Sequence, residues 1–144
     1  MKITIKQPPI GAEEEIIVLC HNMSPELLNA LNAIKAPSNM LVAYIDNDIH
    51  RLKPSDVFYF EAVDKKTFVY CESEVYESKL KLYELDELAM SDFFRISKSV
   101  IVNLSKIKSL SPSFSGRVEA VLTNKERVII SRQYVSELKK ALGI

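Results

Sequence analysis

The sequence predicts a mainly β protein, α+β overall, built from short strands with a few short helices. Two observations support this fold class. From residue 41 onward, brief runs of Val, Ile, Phe and Tyr alternate with turn-forming clusters such as Asp46-Asn47-Asp48 and residues 112–116. Before residue 40, apolar residues instead recur at the three- and four-residue spacing that is typical of a helix, as do Leu27, Leu28, Leu31 and Ile34.

Residues 1–40 are predicted to form a small βα module. Residues 3–5 alternate apolar and polar side chains, and residues 15–20 form a more apolar run, so both segments are predicted strands. A helix is expected from Ser24, whose hydroxyl can cap it and which is followed by proline at the first helical position. A boundary is expected at residues 36–39. The module is a candidate surface for dimerisation or for a protein partner.

Residues 41–144 are predicted to form the main domain. Strands are expected at residues 41–45, 57–62, 67–71, 75–80, 94–96, 100–103, 107–111, 117–123 and 127–131. A helix between them is expected from the apolar spacing of Leu82, Leu85, Leu88 and Ala89. A last helix is expected after a Ser131 cap, with an apolar face formed by Tyr134, Val135, Leu138 and Leu142.

The zero net charge of the chain conceals two halves of opposite charge. Residues 1–94 contain 9 Lys/Arg and 16 Asp/Glu, whereas residues 95–144 contain 10 Lys/Arg and 3 Asp/Glu. A folded segment that gathers cations is typical of nucleic-acid binding, although a solvated face with chance clustering gives the same count. The charge pattern therefore indicates an anionic polymer as one candidate partner.

No motif indicates catalysis. The glycines are isolated rather than gathered in a phosphate-binding loop, and His21 and His50 lack partners at nucleophile–base or zinc spacing. The sequence therefore predicts a protein that is not an enzyme and that has no cofactor, metal site or small-molecule substrate.

No run resembles a signal peptide or a membrane span, so a cytoplasmic location is expected, with Cys20 and Cys71 as reduced core residues.

Residues 93–104, Phe-Phe-Arg-Ile-Ser-Lys-Ser-Val-Ile-Val-Asn-Leu, resemble the signature of the LytTR family of bacterial DNA-binding domains. Other motifs of that family occur in the same order: Phe-Tyr-Phe-Glu-Ala at 58–62, Leu-x-x-Leu at 82–85, Gly116-Arg117, and Ile-Ser-Arg-Gln-Tyr at 130–134. The resemblance covers residues 41–144. It implies an elongated fold of small antiparallel sheets that binds DNA mainly through loops, some of which enter major grooves.

Two of the three segments that this resemblance places on DNA are turns. The turn at residues 64–67 matches a base-reading loop through Lys66 and Thr67, although an ordinary hairpin turn with solvated lysines is the alternative. The second segment is Ser97-Lys98-Ser99. Here the lysine can donate to guanine or to a phosphate, and the serines can donate to phosphates.

The third segment is a strand–helix junction that contains Arg132 and Gln133. An arginine can fork onto guanine or a phosphate, and a glutamine can pair with adenine, so either residue can read a base. Contacts to the DNA backbone alone are expected from four further basic residues, Arg95, Lys106, Lys108 and Arg117.

Other prominent residues of these motifs are predicted to be structural. Asn103 ends an apolar run and is expected to satisfy the backbone of a turn. The aromatic residues are expected in the core rather than stacked on bases, since they occupy strand- or helix-periodic positions: Phe58, Tyr59, Phe94 and Tyr134.

Together these features predict a stand-alone, sequence-specific transcriptional regulator without a receiver domain. It would bind double-stranded promoter DNA as a homodimer or as two copies on paired sites. The alternative is a non-catalytic protein-interaction module, coupled to a membrane or signalling partner, with weak or lost DNA binding. Thr67 and Gln133 keep this alternative open, because the family has other residue types at those positions.

Overall fold

The computed structural model describes residues 2–35, 40–88 and 92–144. The chain divides into two compact units, Met1–Pro37 and Ser38–Ile144. The predicted boundary at residues 36–39 and the predicted helix position Ala89 lie outside the described residues. No helix in the described ranges is long and apolar enough to cross a membrane.

The first unit contains a helix, α1 (Pro25–Lys35), but not the two predicted strands. The Leu27 amide donates to Ser24 Oγ at 3.1 Å, which confirms Ser24 as the helix cap. Residues 3–5 and 15–20 form no strand, and Leu19 is 92% exposed. A strand needs a neighbour that accepts its backbone hydrogen bonds, and neither segment has one among the described residues. The predicted strands are therefore wrong here, and Cys20 is exposed rather than buried.

Ten strands in two antiparallel sheets form the described part of the second unit. The first sheet has the order β2-β1-β5-β4-β3-β7-β6 and contains β1 (Leu41–Ile45), β2 (Asp48–Leu52), β3 (Tyr59–Val63), β4 (Lys66–Tyr70), β5 (Val75–Ser78), β6 (Phe93–Arg95) and β7 (Val100–Asn103). The second sheet has the order β10-β9-β8 and contains β8 (Ile107–Pro112), β9 (Val118–Leu122) and β10 (Arg127–Ile130). Two α-helices lie in the described part of this unit, α2 (Leu82–Glu87) and α3 (Arg132–Ala141), besides three short 3-10 turns. The predicted fold class is confirmed.

The strand β2 corrects the prediction, which placed only a turn at this point of the chain. Asp46 has a φ of 53° and begins a tight hairpin turn, after which β2 pairs with β1 along its whole length. At the edge of the sheet, Leu52 is the buried residue of β2, and Ile49 is 67% exposed. An edge strand with so little burial lacks the clear alternation by which strands are recognised in a sequence.

The strands β3 and β7 of the seven-stranded sheet are buried on both faces, and successive side chains of a strand point to these opposite faces. Tyr59 and Val102 join a core with the three-stranded sheet and α3. Their neighbours in sequence, Phe60 and Ile101, join a second core with α2. Strands that are buried on both faces read as continuous apolar runs, which explains the sequence of residues 57–60.

The aromatic residues of the motifs belong to the core, as predicted. Phe58 and Tyr59 are buried, and Phe94 and Tyr134 pack against the same core. Cys71 is half-buried, and its burial is the main cause that raises the pKa of its thiol to about 11. This thiol therefore stays protonated near neutral pH.

Asn103 fastens the end of β7 to the chain that precedes β3. It is 1% exposed, and its Nδ2 donates to the Val57 carbonyl at 2.8 Å. Its Oδ1 accepts from the Ser105 amide at 3.0 Å and from the Ser105 hydroxyl at 2.7 Å. The prediction that Asn103 satisfies a turn backbone is confirmed.

Candidate nucleic-acid interface

The turn Ser97-Lys98-Ser99, called here the basic turn, connects β6 to β7 at one end of the seven-stranded sheet. The Ala62 amide donates to the Ser99 carbonyl at 2.8 Å, which ties the turn to β3. Within the turn, the Ser99 amide donates to Ser97 Oγ at 3.2 Å. The Lys98 side chain is exposed, while both serines are half-buried. The fold therefore presents one ammonium group to solvent from a backbone that is held in place.

The hairpin turn between β3 and β4 lies at the same end of the sheet. Its two central residues, Asp64 and Lys65, have φ values of 50° and 66°, which is the conformation of a tight two-residue hairpin turn. Lys66, the first residue of β4, is exposed. The predicted first and second segments are thus brought together at one end.

Thr67 does not present its side chain as the sequence led us to expect. It is 3% exposed and pairs with Ala62 of β3 and Ser78 of β5 in the middle of the sheet. Successive residues of a strand face opposite sides, so the exposed position of Lys66 leaves its neighbour facing inward. The expected base contact by Thr67 therefore has no exposed side chain to carry it, although Thr67 lines a shallow cavity beside Lys66.

A shallow cavity of about 370 Å³ lies between the basic turn, the β3–β4 turn and the start of α2. Basic residues from all three segments line it, and Lys81 Nζ donates to the Lys65 carbonyl at 2.9 Å. The sequence analysis did not select Lys65 or Lys81. Lys81 is a single lysine before a helix and belongs to no recognisable motif. Only the pairing of β4 with β5 brings it to this end of the sheet. The cationic side chains that line the cavity are Lys65, Lys66, Lys81, Arg95 and Lys98.

The strand–helix junction lies directly beside the basic turn. The Ser131 amide donates to the Ile96 carbonyl at 2.8 Å, which joins the end of β10 to the residue that precedes the turn. Arg132 and Gln133 are the first residues of α3, and both are exposed. Ser131 occupies the N-cap position but its hydroxyl makes no capping hydrogen bond. All three predicted segments therefore gather at one end of the domain, called here the loop end.

The loop between β8 and β9 packs against Arg132. Gly116 has a φ of 76°, and a Cβ at this position would lie 2.9 Å from Arg132 Cδ. The backbone conformation therefore favours glycine, and a Cβ here would also displace the Arg132 side chain. Arg117 is exposed on this loop, and so is Phe114, whose side chain is 88% exposed. The sequence analysis missed Phe114, although an isolated aromatic among turn-forming residues is a signal that could have identified it.

The guanidinium of Arg95 forms hydrogen bonds within the protein and is not an unpaired cation that awaits a phosphate. Its Nε donates to the Ser97 carbonyl at 2.7 Å, and one terminal nitrogen donates to the Lys98 carbonyl at 2.6 Å. The other terminal nitrogen forms an ion pair with Asp86 of α2 at 2.9 Å. Each of its three nitrogens therefore has a partner, and this changes the expectation of a simple contact to the DNA backbone.

Lys106 and Lys108 lie at the opposite end of the domain, called here the far end. Lys106 Nζ lies 4.9 Å from the centre of the Phe58 ring and lines a cavity of about 250 Å³ with Asp56, Glu72 and Glu74. The β8 strand runs from the neighbourhood of Lys108 to the loop end, a distance of about 13 Å at ~3.3 Å per residue. The structure does not bring these two lysines together with the other candidates.

Residues 47–143 match the LytTr DNA-binding domain family. The chain is 35% identical over 118 residues to an uncharacterized HTH-type transcriptional regulator of Staphylococcus aureus strain NCTC 8325 / PS 47, with 82% of this chain and 80% of the relative covered. The corresponding regulator of strain MRSA252 is 34% identical over the same coverage.

Among solved structures, the LytTr DNA-binding domain of a Bacillus cereus protein described as a methyl-accepting/DNA response regulator superposes with a TM-score of 0.69. The two chains are 33% identical, and the match covers 73% of this chain and 97% of the other. The sequence motifs, the antiparallel fold and these similarities agree. The chain belongs to the LytTR family of DNA-binding domains.

Proposed function

We propose that the chain is a sequence-specific transcriptional regulator that binds double-stranded DNA with its loop end. The observation that carries this proposal is a pair of backbone hydrogen bonds, Ala62 to Ser99 and Ser131 to Ile96. They gather three segments that are far apart in sequence and that all display exposed polar or basic side chains. Membership of the family and the names of the relatives support the same function.

The exposed side chains of the loop end have complementary roles in this proposal. Lys66, Lys98 and Arg117 supply cations for phosphates, which position a protein on the duplex. Arg132 is suited to bidentate recognition of guanine, and Gln133 to bidentate recognition of adenine. Because these residues begin a helix or close short turns, their backbones need little ordering when DNA binds.

The remaining expectations concern assembly and location. We propose that the chain acts in the cytoplasm, without catalysis, as a homodimer or as two copies on paired DNA sites. The first unit offers exposed apolar side chains for self-association or for a membrane-protein or signalling partner, among them Ile16 and Ile17, which are 66% and 70% exposed. Sedimentation of the full chain over a range of concentrations tests the homodimer directly.

A salt titration tests the DNA-binding proposal. If about five phosphates are neutralised, the logarithm of the binding constant for random duplex DNA should fall with the logarithm of salt concentration at a slope near −4 to −5, or about −0.9 per contact. Binding that does not depend on salt would contradict the proposal and favour the protein-interaction module. Selection of bound oligonucleotides from a random pool then supplies the cognate duplex.

A further inference from the structure

We propose that Asp86 and Arg95 together position the basic turn for DNA binding, so that an acidic residue strengthens the binding of a polyanion. The inference rests on the proposed function, because it concerns how the loop end is held in the conformation that binds DNA. It assigns Arg95 a positioning role rather than a phosphate contact, and it assigns a role to Asp86, which no motif indicated.

The geometry of Arg95 carries the inference. The guanidinium spans the inside of the basic turn and donates to two successive carbonyls, of Ser97 at 2.7 Å and of Lys98 at 2.6 Å. Charge-assisted hydrogen bonds of this kind are stronger than those between neutral groups, and the planar fork fixes the relative orientation of both carbonyls. The backbone that presents the Lys98 ammonium is therefore held by the Arg95 side chain. That side chain can do so only if its own position is fixed.

Asp86 supplies that anchor from a different element. Its Oδ2 lies 2.9 Å from Arg95 Nη1, and α2 is fixed in turn because Leu82 and Leu85 are buried in the second core. The two side chains are 27% and 44% exposed, so the pair is accessible to solvent and contributes little to global stability. Its effect is therefore expected to be local, on the turn.

Simple electrostatics makes the opposite prediction for Asp86. A carboxylate near a surface that binds DNA repels phosphates, so its removal should tighten binding to any duplex. A positioning role reverses this sign for the cognate duplex, because loss of the anchor frees the guanidinium and loosens the turn. The direction of the effect of Asp86→Asn thus separates the two interpretations.

The first experiment measures the turn without DNA. Hydrogen exchange of the Ser99 amide in the full chain, followed by NMR, should be about three- to tenfold faster in Asp86→Asn than in the unmodified chain, while amides of β4, and those of β3 other than Ala62, are unchanged. Glu87→Gln is the matched control, since it removes one exposed acid from the same helix. Equal exchange rates in all three proteins would overturn the positioning role.

The second experiment measures binding to the selected cognate duplex and to a random duplex at one salt concentration. Asp86→Asn should weaken cognate binding about three- to tenfold and leave random binding equal or tighter, whereas Glu87→Gln should weaken neither. Arg95→Gln should weaken cognate binding at least as much as Asp86→Asn, because it removes the group that holds both carbonyls, and the double variant should match Arg95→Gln, because residues that act as a unit are not additive. Tighter cognate binding by Asp86→Asn would overturn the inference and leave the regulator intact.

The two proposals fail in different ways. If the unmodified chain shows no salt-dependent binding to any duplex, the proposed function fails and the role of the pair in DNA binding fails with it. The exchange experiment still decides whether Asp86 and Arg95 hold the turn. If the unmodified chain binds as expected and only the variants behave like the control, the positioning role alone is wrong.

Discussion

Lys98 and Lys106 stand at the two ends of β7, and the difference between their surroundings shows how this domain sorts its positive charges. Lys98 is exposed on the basic turn, beside Lys66 and close to the start of α3. Lys106 is half-buried, with its ammonium over the Phe58 ring at 4.9 Å in a cavity that acidic residues line. Two lysines eight residues apart in the sequence thus face opposite kinds of neighbour.

The comparison teaches that the number of cations in a segment does not define an interface. The strongly basic half of the sequence contributes basic residues to both ends of the domain. Only the strand pairing decides which of these cations lie close together. At the loop end the side chains share an outward surface, whereas at the far end Lys106 lines one cavity together with Asp56, Glu72 and Glu74. A cation that already has acidic neighbours gains less from an added phosphate.

The largest expected effect is the loss of DNA affinity when a base-reading side chain of the loop end is removed. Arg132→Ala should weaken cognate binding by about 1–3 kcal/mol and relax the preference at one base position, if the guanidinium holds guanine bidentately. Lys108→Ala should leave the affinity for cognate and scrambled duplexes unchanged, because Lys108 lies at the far end and away from the proposed contact surface. Binding curves on both duplexes at fixed salt check this. An equal loss on both duplexes for Arg132→Ala would transfer base reading to Gln133, Lys98 or Lys66.

A second prediction concerns stability at the far end. Asn103→Ala should lower the free energy of unfolding by about 1–3 kcal/mol, since the Val57 carbonyl and the Ser105 amide lose their partner in a buried site. Urea unfolding measures the change, with Ser109→Ala on the exposed part of β8 as the control. Folded Asn103→Ala should retain its DNA affinity. A loss of affinity with unchanged stability would mean that the far end also meets the duplex.

The smallest expected effect is in the salt dependence. Lys98→Ala should reduce the slope of the logarithm of the binding constant against the logarithm of salt concentration by about 0.9 in magnitude, which corresponds to one phosphate contact. Lys106→Ala should leave the slope unchanged, because its ammonium already lies over the Phe58 ring. Equal changes of slope in the two variants would remove the distinction between the ends.

Much of the fold could be predicted because local signals agree with it. The turn clusters marked the ends of most strands, and Ser24 and its proline marked the start of α1. The failures share one physical cause: a strand is defined by its neighbour. Residues 3–5 and 15–20 have strand-like sequences but no pairing partner among the described residues, while β2 has a weak pattern and pairs fully with β1.

The candidate site was predictable as a set of segments and less so as a set of side chains. The motifs identified the basic turn and the junction at Arg132 because their chemistry is local. The burial of Thr67 depends on its place in the middle of a sheet, and the ion pair of Arg95 depends on the docking of α2. Lys81 came to the loop end through strand pairing. Such contacts between distant elements leave no pattern in the sequence.

The backbone hydrogen bond between Ser131 and Ile96 bears on how fast the protein finds and leaves its sites. Because the strand–helix junction and the basic turn are already joined before any duplex arrives, we expect encounter to require the ordering of long side chains but no folding of loops. Association with cognate and random DNA should then be similarly fast and governed by charge, while the lifetime of the complex distinguishes one sequence from another. A regulator built in this way would sample many sites briefly and remain bound at few.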